Sequence, residues 1–355
     1  MDRFLELIRI ALGTKKEFTA PPSDDEWERL YVLANRHAIG GLLFRALTTL
    51  PKEQMPPATL AADWFTLANK MKEDNARREK EVTHTTRIFL KYGFRSVILK
   101  GQSLSQYYPH PELRRSSDID VWLDGSRKDI IAYVCSVKKP GSILYHHCDF
   151  DVLNGTNIEV HFTPSYFANP FANHRFQAWA KQQGERLFPL CNKDMEQNYN
   201  TTDATFDIPY LLIHLFRHVI DEELELKPVI DYFFVLRSQH LTAEDKRKHI
   251  HTLHQFSIDS FAAGVMYVLH DMLGLEEEYL LCPPDQRQGK ALEAELFRPM
   301  QDKGCLEQGR SDSNPLRRFL QRQANLLRFL PFYPCEILWM PYWMIKIFVL
   351  LRRNK

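Results

Sequence analysis

Neither sign of charge dominates this chain: 46 Lys and Arg stand against 45 Asp and Glu over 355 residues, a formal net charge of +1. Such a chain sets up no long-range field toward a polyphosphate backbone, so a long nucleic acid is not an expected partner, although an RNA end stays compatible. Cysteine is sparse as well. The six residues (Cys135, Cys148, Cys191, Cys282, Cys305, Cys335) form neither the close pairs of a zinc knuckle or redox dithiol nor the dense framework of a small secreted domain. The opening MDRFLELIRIALG lacks a continuous apolar core and a small-residue cleavage site, because Asp2, Glu6 and Arg9 interrupt it. It reads as an amphipathic helix, and the compartment implied is the cytoplasm. No apolar run reaches the roughly 20 residues needed to cross a bilayer. The nearest approach, within 315–351, is broken by Pro331, Pro334 and Pro341 and carries Glu336 and Lys346. That tail is expected to pack against the rest of the chain; peripheral attachment to a membrane surface, or docking to a protein partner, are the alternatives. The GxxxxGK[ST] spacing of a Walker loop is also missing.

What the chain does have is aromatic side chains, 23 Phe and 14 Tyr, in a pattern that changes twice. Residues 1–94 read as a helical region. One helix carries Phe4, Leu5, Ile8, Ala11 and Leu12 and stops at Gly13; a second fits Asp25–Leu50; a third runs from Thr59 to Tyr92, its charged run Lys70–Glu81 reading as a solvated face. Residues 95–205 are rich in short strand signals: Ser96–Leu99, Ile119–Leu123, Gly141–Tyr145, Phe150–Leu153 and Asn157–His161, with a helix over Lys128–Lys138 and a tight Asn154–Gly155 turn. Helical periodicity returns over 206–300, at Pro209–Asp221, Lys227–Arg237, Thr242–Phe256, Ser260–Leu273 and Lys290–Arg298. Within 301–355 a Gly/Asp/Ser-rich loop, Asp302–Asn314, precedes the aromatic tail. The fold class expected is α+β: a small mixed sheet flanked by N-terminal helices and followed by a C-terminal helical domain.

The chemistry is concentrated between Arg95 and Asp124. Asp118 and Asp120 stand two apart on a strand, so both carboxylates face one side while Ile119 and Val121 face the other. Like charges so placed repel, and a cation makes the arrangement tolerable. Glu159, between Ile158 and Val160, supplies a third carboxylate, and His161 faces the same way. Oxygen ligands of this kind suit Mg2+ or Mn2+, which would neutralise a nucleoside triphosphate and lower the pKa of an attacking hydroxyl. In the LKGQS turn, Gly101 allows close backbone approach to a phosphate, Ser103 offers a hydroxyl, and Lys100 and Arg114 offer positive charge. His146 and His147, just before a strand, are further candidates for the mouth of the pocket. His214 and His218 share a helix face, where packing or hydrogen bonding is the expected role.

These residues resemble the polymerase-beta-type nucleotidyltransferase superfamily, with its glycine–serine turn, D-h-D strand and later acidic strand residue. More narrowly, they resemble a bacterial family of uncharacterised nucleotidyltransferases marked by an LKG-x-[SA]-L turn, a Y-P-x-P-x-x-R segment and a hydrophobic-E-x-H strand, here Leu99–Leu104, Tyr108–Arg114 and Ile158–His161. The likeness covers most of residues 28–275. It implies a polymerase-beta-like core and metal-dependent transfer of a nucleoside monophosphate, with ATP as the expected donor. The acceptor is a small molecule, a sugar, a protein or an RNA end. Asp118, Asp120 and Glu159 would be catalytic metal ligands, and Lys227 would face the nucleotide while Asp231 orients it. Arg217 is a further candidate phosphate contact. Two departures stand out: Gln102 separates glycine from serine, and Arg115–Ser116–Ser117 leads into the aspartates. A catalytically degenerate nucleotide-binding or regulatory partner, beside cell-envelope polysaccharide machinery, is the rival reading.

Overall fold

Short β-rich segments can bury only part of their surface alone, and here they are sandwiched by helices from both ends of the chain. The computed structural model describes residues 2–116, 118–190, 199–221, 224–298 and 323–353. The loop expected over Asp302–Asn314 and the start of the aromatic tail lie outside them, as do Ser117, Cys191 and Cys305. The helices are α1 Asp2–Leu12, α2 Asp24–Arg36, α3 Gly40–Leu47, α4 Ala58–Lys91, α5 Gln102–Ser105, α6 Arg127–Val137 and α7 Pro170–Leu187. They continue with α8 Ala204–Asp221, α9 Leu226–Arg237, α10 Ala243–Gln255, α11 Asp259–Tyr267, α12 Gln286–Leu296, α13 Pro334–Ile337 and α14 Met340–Arg353. Four strands, β1 Ser96–Ile98, β2 Ile119–Leu123, β3 His147–Asp149 and β4 Ile158–His161, form one sheet in the order β1-β2-β4-β3. β1 and β3 run antiparallel to their neighbours, and the central β2–β4 pair is parallel. The expected small mixed sheet between helical regions is therefore what the chain forms.

The sheet has two unlike faces. Ile98, Ile119, Val121, Ile158 and Val160 turn one way, onto Val82 and Phe89 of α4 and Ile130 and Val134 of α6. On the other side Val97, Leu99 and Trp122 join the larger helical core. Trp122 packs there against Phe188 and Phe206, with ring centroids 4.9 and 5.8 Å away. Strand alternation thus places Asp120, Glu159 and His161 on the face toward the helical domain, where an apolar layer surrounds them.

Several expected boundaries move. The single helix over Asp25–Leu50 is two helices, broken at Ala38, whose φ is 58°. The break sets α3 tightly on its neighbours: a Cβ at Gly41 would stand 2.3 Å from the Leu113 carbonyl and 2.6 Å from Met71 Sδ. The charged run of α4 is not wholly solvated. Arg78 is buried, Tyr199 donates its hydroxyl to Glu79 at 2.7 Å, and Thr156 donates to Glu81 at 2.8 Å. Gly141–Tyr145 contributes only an isolated bridge, Ile143 to Cys148, and the strand expected over Phe150–Leu153 sits earlier, at His147–Asp149. The reason is a bulge. His147–Asp149 opposes Glu159–His161, while across the Asn154–Gly155 turn Leu153 opposes Thr156, which leaves one extra residue on the first arm. Helix α7 had no counterpart among the expected elements. At the far end, the aromatic tail packs as expected: Trp343 stacks on Tyr166 at 4.7 Å and meets Tyr145 at 4.9 Å. Among the described residues no helix is long and apolar enough to cross a membrane.

Candidate functional site

Register builds the site. The parallel β2–β4 pairing puts Asp120 opposite Glu159 and Trp122 opposite His161, and β3 brings His147 opposite His161 from the far side. Asp120 Oδ1 is 3.0 Å from His161 Nε2, which in turn is 3.5 Å from Glu159 Oε2. Asp120, Glu159 and His161 each offer a ligand atom within 4.8 Å of the others, a set able to hold a divalent cation. A second set within that spacing joins His161 to His146 and His147. His147 Nδ1 lies 3.0 Å from His146 Nε2 and 3.5 Å from Glu159 Oε2.

Lys100 enters from the turn after β1 and places Nζ 3.0 Å from Asp120 Oδ1. Burial disfavours charge on both groups, yet each counters the other. The Asp120 carboxylate raises the Lys100 pKa, and Lys100 with His161 holds Asp120 well below the usual carboxylate range. Glu159 is lowered too, its burial outweighed by the hydrogen bond to His161. Burial opposes a proton on His161, but the two carboxylates raise its pKa. Burial keeps His146 and His147 below the ordinary imidazole value. The site therefore sets two carboxylates against the Lys100 ammonium and the His161 ring.

The turn itself is fixed from behind. Gly101 has φ 58° and ψ −117°, backbone that favours glycine, and a Cβ there would approach Ser116 Oγ at 3.2 Å. Arg114 donates through Nη1 to the Gly101 carbonyl at 2.9 Å, and through Nε and Nη2 to the two Asp231 oxygens at 2.7 and 2.8 Å. Tyr108 adds its hydroxyl to Asp231 at 2.6 Å, and Lys227 Nζ is 3.7 Å from the same carboxylate. This bidentate pair ties the turn to α9 and holds Asp231 near a pKa of about 2, against the effect of burial. Burial, reinforced by Arg114, lowers Lys227 to about 8. The Ser103 hydroxyl, fully buried, is 2.9 Å from Thr202 Oγ1 and accepts from the Thr202 amide at 3.1 Å. A cavity of about 230 Å³ borders the turn, lined by Lys72, Asn75, Gly101, Gln102 and Arg114 among others.

Of the residues singled out in the sequence, Lys100, Asp120, Glu159 and His161 come together, and Arg114, Lys227 and Asp231 form the brace beside them. Asp118 is half-buried immediately before β2 and is outside the two converging sets. Arg217 is engaged elsewhere, ion-paired with Asp221 and Glu336 and stacked 4.3 Å from the Tyr166 ring centre. His214 and His218 touch each other, Nε2 to Nε2 at 3.0 Å. Asp207 carried no signal in the sequence. It receives hydroxyls from Thr202 at 2.6 Å and Tyr107 at 2.8 Å, and burial pushes its carboxyl up to about 7. A larger cavity, about 490 Å³, opens between α1, α3 and α9. Its walls are mostly apolar and include none of the converging carboxylates and histidines, so the chemistry is assigned to the sheet face.

A family model described as "Uncharacterised nucleotidyltransferase" matches residues 23–274. No curated protein matches the chain, and no solved structure does. The matched span includes the glycine turn, the central strands, the converging carboxylates and helices α8 and α9. On that match and this fold, the chain belongs to the family of uncharacterised nucleotidyltransferases within the polymerase-beta-like superfamily.

Proposed function

We propose that this protein transfers a nucleoside monophosphate from a nucleoside triphosphate, ATP, to an acceptor hydroxyl. The observation that carries the reading is the convergence of Asp120, Glu159 and His161 beside the Gly101 turn, in a chain of this family. Asp118, Asp120 and Glu159 would hold Mg2+ or Mn2+, which would neutralise the triphosphate and favour the deprotonated acceptor. The acceptor oxygen forms a bond to the α-phosphorus, the bond from that phosphorus to the bridging oxygen breaks, and pyrophosphate leaves. The acceptor proton passes to solvent or to a nearby base. Gly101, braced through Ser103 and Arg114, would present backbone N–H groups to phosphate oxygens, and Lys100 would exchange Asp120 for a phosphate when nucleotide and cation arrive. Lys227, lowered to about 8 and 3.7 Å from Asp231, would face the nucleotide from the helical side. Acceptors with an exposed hydroxyl fit: a small metabolite, a sugar, a protein side chain or an RNA end.

The Lys100–Asp120 ion pair favours a second reading, in which the chain binds nucleotide without turnover. An ammonium 3.0 Å from Asp120 already supplies the positive charge that a metal would bring.

The test is calorimetric titration with ATP, GTP, CTP and UTP, with and without Mg2+, on wild type and on the Asp118→Asn/Asp120→Asn double variant. Magnesium-dependent binding by wild type and its loss in a folded double variant are expected. Retained tight binding in that variant, with an unchanged circular dichroism spectrum, would sink the metal assignment. Because Asp120 is ion-paired with Lys100, the urea midpoint of the double variant is the control for folding. Release of pyrophosphate from α-labelled nucleotide over an acceptor panel then separates transfer from binding alone, and Glu159→Gln should lower turnover more than affinity.

A further inference from the structure

Three imidazoles crowd the outer edge of the sheet. The ring centroids of His146, His147 and His161 lie 4.4, 5.2 and 5.5 Å apart, pair by pair. Such rings repel if protonated and waste donor capacity if neutral. His161, only 2% exposed, has a buried Nδ1 without a hydrogen-bond partner, and His146 Nδ1 is also buried and unpartnered. Unsatisfied buried nitrogens in a cluster call for something that they can bind.

The spacings say what. Nitrogen and oxygen ligands of a tetrahedral zinc-class ion sit about 2.0–2.2 Å from it, so neighbouring ligand atoms stand roughly 3.3–3.6 Å apart. His146, His147 and His161 each offer a ligand nitrogen within 4.8 Å of the others, and His146 Nε2 is 3.0 Å from His147 Nδ1. We infer that His146, His147 and His161 form a nitrogen-rich site for one borderline transition cation, Zn2+ in class, beside the carboxylate-rich set. Imidazole ligands favour zinc, cobalt or nickel over magnesium, whereas carboxylates alone do not. The site shares His161 with the proposed nucleotide centre but does not rest on that reading, since His146 and His147 lie outside it.

Cobalt is the probe. Chelator-treated full-length chain titrated with Co2+ should develop, at one equivalent, the intense visible absorption of four-coordinate cobalt, displaced by Zn2+ and untouched by millimolar Mg2+. His146→Gln and His147→Gln should each weaken Co2+ binding at least about tenfold, while His251→Gln, at an exposed position on α10, leaves it unchanged. Should either glutamine variant fail to fold, protection of His146 and His147 in wild type from diethylpyrocarbonate by Zn2+, mapped by mass spectrometry, decides the matter. Absence of the four-coordinate band in folded wild type, equal Co2+ affinity in both folded variants, or unprotected histidines in Zn2+ overturns the inference. Magnesium-dependent ATP binding measured on the same samples keeps the two readings apart: its loss with the cobalt band intact counts against the nucleotide site alone.

Discussion

At the scale of single residues, the clearest consequence belongs to Asp207. Its carboxyl is pushed from an ordinary 3.8 up to about 7 by burial, despite hydroxyls from Thr202 and Tyr107. The native state therefore holds that proton over a pH range in which the unfolded chain has released it. Its stabilising contribution is complete below the ordinary carboxyl value and is lost as pH rises toward 7. A displacement of this size corresponds to ~4 kcal/mol as an upper bound. Asp207→Asn should flatten the fall in urea midpoint between pH 4 and 7 relative to wild type; parallel pH profiles would refute the role. No reading of the sequence could have found it, because a lone aspartate early in a helix has no spacing partner. Asp120, Glu159 and His161 were legible for the opposite reason. Strand alternation fixes which way each points, and flanking Ile and Val residues mark the face they avoid. Lys100 was legible as a charge but not as the partner of Asp120, which depends on how the turn folds back across β2.

Elements were legible where one periodicity ran unbroken, as in α4, α9 and α10, and in the Asn154–Gly155 turn, where Gly155 has φ 78°. They were misplaced where a tertiary contact sets the boundary. The α2–α3 break answers to the close approach of Gly41 to Leu113, a residue far along the chain. The shift of β3 answers to a one-residue bulge that no local composition announces. That bulge matters for the histidines: a slip of one residue would turn His147 to the apolar face and bring Cys148 toward the carboxylates. The join between the glycine turn and α9 gives a prediction at this scale. Arg114→Ala removes the bidentate partner of the buried Asp231, leaving Tyr108 and Lys227, and should cost about 3 kcal/mol, read as a lower denaturation midpoint. Arg114→Met with Asp231→Leu should recover much of that stability without restoring nucleotide affinity. Equal losses in the single and double variants would show that the pair braces nothing.

Across the whole molecule, the division into helical flanks and a sheet-bearing centre was visible in composition, since aromatics and helical periods bracket the short strands. The way the far tail closes on the centre was visible only as apolar character. Glu336 accepts from the Ala168 and Asn169 amides at 2.7 and 3.1 Å and pairs with Arg217, just ahead of α7. Burial raises its carboxyl, with Arg217 and the two amides opposing. Glu336→Ala should leave the Ala168 and Asn169 amides unsatisfied in the interior and Arg217 with Asp221 alone, and cost about 3 kcal/mol, seen as a lower melting temperature; an unchanged transition would mean the tail is an ornament.

Trp343 leans on Tyr166, and Tyr166 leans on His146 with ring centroids 5.0 Å apart. In time as well as space, this makes the tail the keystone. A growing chain emerges from the ribosome N-terminus first, so the strands and their carboxylates can assemble while the residues that back the histidines are still being made. A molecule released early would present the acidic floor with one wall still open until the segment around Trp343 docks.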